Sequence, residues 1–233
     1  MMIGIQFLVG LLLGCALGWL IFWTAKVDST LPFFAGKKLL LPRYRKFQPL
    51  FHACIGLFTG AVFAFNVRFF GEGWQLVYFQ LMSFLLLSVA FYDLAFRVIP
   101  IVIIVSVTGV SFFCALFFNI PMPFLTSLYG GLSVGGLVLV MYLLTRGRGI
   151  GEADIFIAAV IGLLFGWAKG LVVFSAANVL GLVVILPLMA ILGRERTRFI
   201  PLAFFLSLAI FLQWYLNFAE GILQMIGINF LVS

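Results

Sequence analysis

Charge is what this chain lacks most. Only 9% of its residues are charged, against about a quarter in a soluble domain. Hydrophobic residues make up 65%, and the mean hydropathy is +1.27. A soluble globular fold is thereby excluded, and a bilayer is the expected solvent. Histidine is nearly missing as well. His52 is the only one, which argues against a multi-histidine metal site or a Ser/His/Asp arrangement. The three cysteines, Cys15, Cys54 and Cys114, lie singly inside apolar runs with no C-x-x-C pair. Neither a zinc ribbon nor a disulfide framework is expected of them, and they read as small buried hydrophobes. No metal and no cofactor are expected.

What is abundant is long apolar runs. A membrane-crossing helix needs roughly 20 apolar residues, and about eight such stretches follow one another with short connections. The predicted spans are 3–23, 49–67, 74–92, 100–119, 124–144, 153–168, 170–192 and 199–218, with a short apolar tail to Ser233. The fold class expected is therefore an all-α integral membrane protein of about eight transmembrane helices, a single polytopic domain over 1–233. The first span has no basic residue before it, so it reads as a retained helix rather than a signal peptide.

Charge placement orients the spans. With the N-terminus outside, the inner connections hold Lys26, Lys37, Lys38, Arg43, Arg45 and Lys46, then Arg97, then Arg146 and Arg148, then Arg194, Arg196 and Arg198. Only Arg68 and Lys169 fall outside. A split of 12 to 2 fits the positive-inside rule. The net charge of +7 is then a matter of topology, and no nucleic-acid partner is expected.

Against this background two aspartates stand out. Asp93 and Asp154 lie at the edges of apolar spans, where a carboxylate is costly and is usually kept for a function. The topology puts both at the cytoplasmic face, Asp93 ending the third span and Asp154 opening the sixth. Asp154, Ala158, Gly162 and Gly166 recur at intervals of four, hence on one helix face. Small residues in that pattern let a neighbouring membrane helix approach closely. The glycines of 147–151 let the backbone turn sharply and approach a ligand. Two carboxylates brought together cannot both ionise easily, so one keeps a proton while the other serves as base toward a water. Each also has a bland reading: Asp154 as a helix N-terminal cap, and Asp93 as a partner of Arg97 four residues on.

The strings around the two residues resemble the type IV prepilin peptidase family, bacterial membrane aspartic proteases of the GxGD class. Asp93 stands before Ile99-Pro100, and Gly149-Ile150-Gly151-Glu152-Ala153-Asp154 opens a helix that continues to Ile161-Gly162-Leu163-Leu164-Phe165-Gly166. Gly10, Gly14 and Gly18 are similar to the family's glycine-rich first helix. The stretch from Thr197 through Phe199-Ile200-Pro201-Leu202-Ala203-Phe204 is similar to its Ile-Pro-Phe-Gly-Pro-Phe segment. The resemblance implies a protease core at about 74–218 and an aspartic endopeptidase whose catalytic residues are Asp93 and Asp154. Gly149, Gly151, Glu152 and Ala153 would border the substrate. It further implies prepilin or pseudopilin substrates with a basic leader and an apolar helix. The expected location is the bacterial cytoplasmic (inner) membrane, with the active site on the cytoplasmic side.

The chain departs from the family pattern at several points. Ala153 replaces the glycine before the second aspartate, Phe156 stands where a lysine is usual, and Ala203 replaces a glycine. The loop 24–48 has no cysteine, whereas many bifunctional members carry a four-cysteine zinc element there and also N-methylate the product. Methyltransferase activity is therefore not expected. Two alternatives are weighed against the prepilin peptidase reading. Tyr92-Asp93 also resembles the presenilin and signal-peptide-peptidase group, although no proline-alanine-leucine signature follows Asp154. A non-enzymatic transporter or assembly protein would be expected to carry polar groups near mid-bilayer, where this chain, Asn178 apart, reads as apolar.

Overall fold

A computed structural model describes residues 2–27, 48–96, 99–147, 150–192 and 202–225. These form eight helices and, among the described residues, no strand: α1 (Met2–Val27), α2 (Gln48–Phe70), α3 (Trp74–Phe96), α4 (Ile101–Phe118), α5 (Phe124–Thr145), α6 (Glu152–Leu192), α7 (Leu202–Leu216) and α8 (Phe218–Met225). Six of them are long and apolar enough to cross a membrane, or seven if the bent pair α7 and α8 is one span. The chain is an all-α membrane protein. Much of the loop 24–48 lies outside the described residues, as do Arg97, Arg148, the stretch 193–201 and the tail 226–233. Contacts fall into two compact units, Met1–Val98 and Ile99–Ser233.

In the first unit, α1 and α2 meet along glycines. A side chain at Gly10 would come within 2.9 Å of the Gly60 Cα, and one at Gly14 within 2.8 Å of the Gly56 Cα. Gly18 faces His52 in the same row. The spacing of four places these residues on one face, and missing side chains let the backbones touch, the usual basis of helix association in lipid. The third helix is joined by polar groups instead. Asn66 Nδ2 donates to Ser83 Oγ at 2.9 Å, to Gln80 Oε1 and to the Phe79 carbonyl. Gln80 Nε2 in turn donates to the Phe63 carbonyl at 3.0 Å and to Gln6 Oε1. The expectation of apolar spans is corrected here: α1, α2 and α3 share a polar cluster. Its members hydrogen-bond one another, which is how polar groups hold membrane helices together.

In the second unit, punctuation residues set the helix ends. Pro100 and Pro123 precede α4 and α5, where a missing N–H costs nothing. Asn119 and Arg146 end the same two helices in the left-handed conformation, a common C-terminal stop. The sixth and seventh predicted spans form one run, α6, broken at Gly166 (φ 72°, ψ −178°). Only glycine adopts that backbone region readily. Beyond it the chain folds back, and a side chain at Gly170 would lie 3.3 Å from the Gly162 Cα. Gly166 continues the small-residue face as expected, its Cα 2.6 Å from where a side chain at Gly130 would lie, and it also ends the arm. With α6 counted as two arms and α7 with α8 as one bent pair, the eight predicted segments are all represented.

The small-residue face of the first α6 arm packs on α5. A side chain at Gly162 would sit 2.1 Å from the Gly130 carbonyl oxygen, and one at Gly135 2.7 Å from the Ala159 Cβ. Buried Ala158 joins Val134 and Val138 in an apolar cluster. At the other end of the unit, α7 stops at Asn217 and α8 leaves at 81°. Gln213 Oε1 accepts the Ala219 N–H at 2.8 Å, while Lys169 pairs with Glu220. The start of the apolar tail is therefore a short helix tied to α6.

Candidate active site

Asp154 is the third residue of α6 and only 9% exposed. Its Oδ2 accepts the Gly151 N–H at 2.9 Å, and its own N–H returns to the Gly151 carbonyl at 3.1 Å. This is the back-bonding half of a capping box, in which a side chain three residues into a helix satisfies an orphan N–H at its start. The capping role weighed for this residue is thus present. It occupies one carboxylate oxygen.

The described residues on either side of 148–149 are held in place. The α5 stop leaves Arg146 (φ 54°) and Gly147 (φ 70°) in the left-handed region, and Gly147 donates to the Tyr142 carbonyl at 2.9 Å. Ile150 packs against the Val134, Val138 and Ala158 cluster. Gly151 and Glu152 are exposed and Ala153 is half-buried. Glu152 Oε1 accepts a hydrogen bond from the Tyr142 hydroxyl at 3.1 Å. Gly149 lies outside the described residues.

Asp93 has the opposite local setting. It is 7% exposed and sits in the last turn of α3, on the face that also buries Met82, Leu86 and Val89. The C-terminal end of a helix carries partial negative charge, which disfavours a carboxylate. Helix electrostatics therefore give no reason for an acid at this position. Its weighed partner, Arg97, lies outside the described residues. Asp93 belongs to the first compact unit and Asp154 to the second.

Two departures noted in the sequence acquire a structural setting. Phe156 is 43% exposed and lies two residues, or about 200°, round the helix from Asp154. It faces away from the carboxylate. Ala203 is buried at the start of α7, where a small residue fits; Thr197, Phe199, Ile200 and Pro201 lie outside the described residues. Sequence reasoning passed over Tyr142 and the cluster of Gln6, Asn66, Gln80 and Ser83. The signal available for the cluster was lone amides in apolar runs. For Tyr142 it was a hydroxyl-bearing aromatic just before the glycine-rich stretch.

The fold and these residues define a polytopic all-α membrane protein with two buried carboxylates at helix ends, one beside a glycine-rich turn. Residues 80–186 match the family model of the type IV leader peptidase family. The match takes in Asp93, Asp154 and the turn between α5 and α6, and it supports the prepilin peptidase resemblance and a leader-peptidase-like protease. No curated protein and no solved structure matches the chain.

Proposed function

We propose that the protein is an aspartic endopeptidase that removes the leader peptide from type IV prepilin-like or pseudopilin precursors. The reading rests on one observation above others: the leader peptidase match spans both buried aspartates. The order of segments supports it further. Between the end of α3 and the start of α6 the chain has two helices of membrane length, α4 and α5, an even number of crossings that supports reading both acids at one membrane face. In this reading that face is the cytoplasmic one of a bacterial inner membrane, which the positive-inside rule supports.

In this reading one carboxylate takes a proton from water, whose oxygen attacks the carbonyl carbon of the scissile peptide. The other carboxyl, protonated, donates to the carbonyl oxygen and the proton moves on to the departing amide nitrogen as the C–N bond breaks. The pair titrates as a unit, and neither role is assigned to one residue. The turn bearing Gly149, Gly151, Glu152 and Ala153 borders the bond to be cut. Glu152 adds a negative charge where a basic leader would lie. With no cysteine in the loop 24–48, the product leaves without N-methylation.

The test is co-expression with prepilin and pseudopilin precursors, scored by the mass of the mature product. Leader removal dependent on both Asp93 and Asp154 supports the proposal. Processing that survives either Asp→Asn change overturns the two-carboxylate mechanism, and no processing of any precursor overturns the protease reading.

A further inference from the structure

Tyr142 touches both ends of the segment that carries Asp154 into α6. At the near end its carbonyl accepts the Gly147 N–H at 2.9 Å, and its ring lies against Gly147 so closely that a side chain there would come within 3.1 Å of Cε2. At the far end its hydroxyl donates to Glu152 Oε1 at 3.1 Å. Glu152 is the first residue of α6 and follows Gly151, whose N–H is held by Asp154 Oδ2. Two hydrogen bonds and the covalent chain of two residues, Glu152 and Gly151, thus link the Tyr142 hydroxyl to the carboxylate.

The need for such a link follows from the residue types. Glycine at 147 and 151 leaves the segment more freedom than any other residue would, and ordering it costs conformational entropy. A carboxylate that must meet a water and a peptide bond tolerates little misplacement. Ile150, packed on Val134, Val138 and Ala158, anchors the segment from the apolar side. Tyr142 anchors it from the polar side, and its hydroxyl is the part that reaches Glu152.

We infer that Tyr142 is a positioning residue that holds Gly147 and Glu152 and thereby sets the Asp154 carboxylate for proton transfer. The inference rests on the protease reading and gives Glu152 a second role beside the leader. It separates two uses of that side chain: the clasp needs an acceptor oxygen, whereas attraction of a basic leader needs a charge.

The experiment uses the full chain in detergent with a purified prepilin substrate. Tyr142→Phe keeps the ring on Gly147 and removes only the donor, so kcat falls by about tenfold while KM stays within about twofold. Glu152→Ala lowers kcat to a similar extent, and Glu152→Gln, which retains an acceptor, recovers most of that loss. Combining Tyr142→Phe with Glu152→Ala adds little further loss, as expected when both remove one interaction. Hydrogen exchange gives a readout independent of cleavage: the backbone amides of 147–153 exchange faster in Tyr142→Phe than in the parent. Unchanged exchange overturns the clasp itself. Faster exchange with full kcat, or a loss confined to KM, overturns its catalytic role. A parent protein inactive on every precursor overturns the protease reading and the catalytic half of this one, while the exchange measurement still decides whether the clasp exists.

Discussion

The Gly151 N–H donates to Oδ2 of Asp154 at 2.9 Å, and the Asp154 N–H returns to the Gly151 carbonyl at 3.1 Å. The carboxylate is therefore part of the helix start as well as a candidate acid or base. The two roles are chemically separable, because the cap needs only an acceptor oxygen and the chemistry needs a group that exchanges a proton. Asp93 sits instead in the last turn of α3, where the helix dipole opposes a carboxylate. An acid kept against that field is the stronger sign of function.

Asp154→Asn is expected to reduce leader cleavage by about a thousandfold and to leave most of the cap in place. Asp154→Ala loses the acceptor too and costs roughly a further 1 kcal/mol of stability. Cleavage assays paired with thermal unfolding in detergent separate the effects. Equal stability of the two variants would show that the Gly151 bond contributes nothing.

Asp93→Asn is expected to abolish cleavage and leave the protein inserted and folded, since the amide keeps the size of the side chain and removes only its proton exchange. The check is a cooperative unfolding transition in detergent beside a null cleavage assay. A strongly destabilised but active variant would reverse the assignment.

Gly162→Ala and Gly130→Ala each place a methyl group 2.1–2.2 Å from a backbone carbonyl oxygen of the facing helix. Forced separation of α5 and α6 should cost about 1–3 kcal/mol. Gly109→Ala and Gly136→Ala, where nothing lies within 4 Å, serve as controls. They should be neutral or stabilising by about 0.5–1 kcal/mol, as alanine replaces glycine within a helix. Similar midpoints for all four variants would contradict the close crossing.

Asn66→Leu removes the donor shared by Gln80, Ser83 and the Phe79 carbonyl. It strands buried acceptors at a cost of about 1–3 kcal/mol, read as a lower unfolding midpoint. Residual folded enzyme should cleave at the parental rate if the cluster is structural. A selective loss of kcat would assign it a part in the reaction.

Phe156→Lys restores the residue type usual in the family. Because position 156 faces away from Asp154, the pH optimum should move by less than the unit or more expected of a cation in contact with a carboxylate. A larger displacement in a pH–rate profile would mean that the lysine reaches the carboxylate.

Much of the fold was legible because bilayer solvation writes itself directly into composition. Runs of 20 apolar residues and their basic flanks announced every helix from α1 to α5 within a few residues. The break in α6 was expected near Lys169, where charge interrupts the apolar run, yet it falls at Gly166. Apolarity continues through Trp167, so nothing in hydropathy marks the turn; the decision rests on glycine's access to a backbone region closed to its neighbours. The amides at Gln6, Asn66 and Gln80 were visible singly, but hydrogen-bond partners drawn from three helices are not a property of any one run.

The sequence by itself determined the medium, the helices and the two acids, because those depend on local apolarity and on the cost of charge near hydrocarbon. Only the tertiary structure decided that the Asp154 face packs on α5 through Gly130 and Gly135, that Phe156 looks away, and that Tyr142 reaches both Gly147 and Glu152. Such contacts join residues by direction and distance, set by where the backbone turns at Gly147 and Gly166 rather than by the order of side chains along the chain.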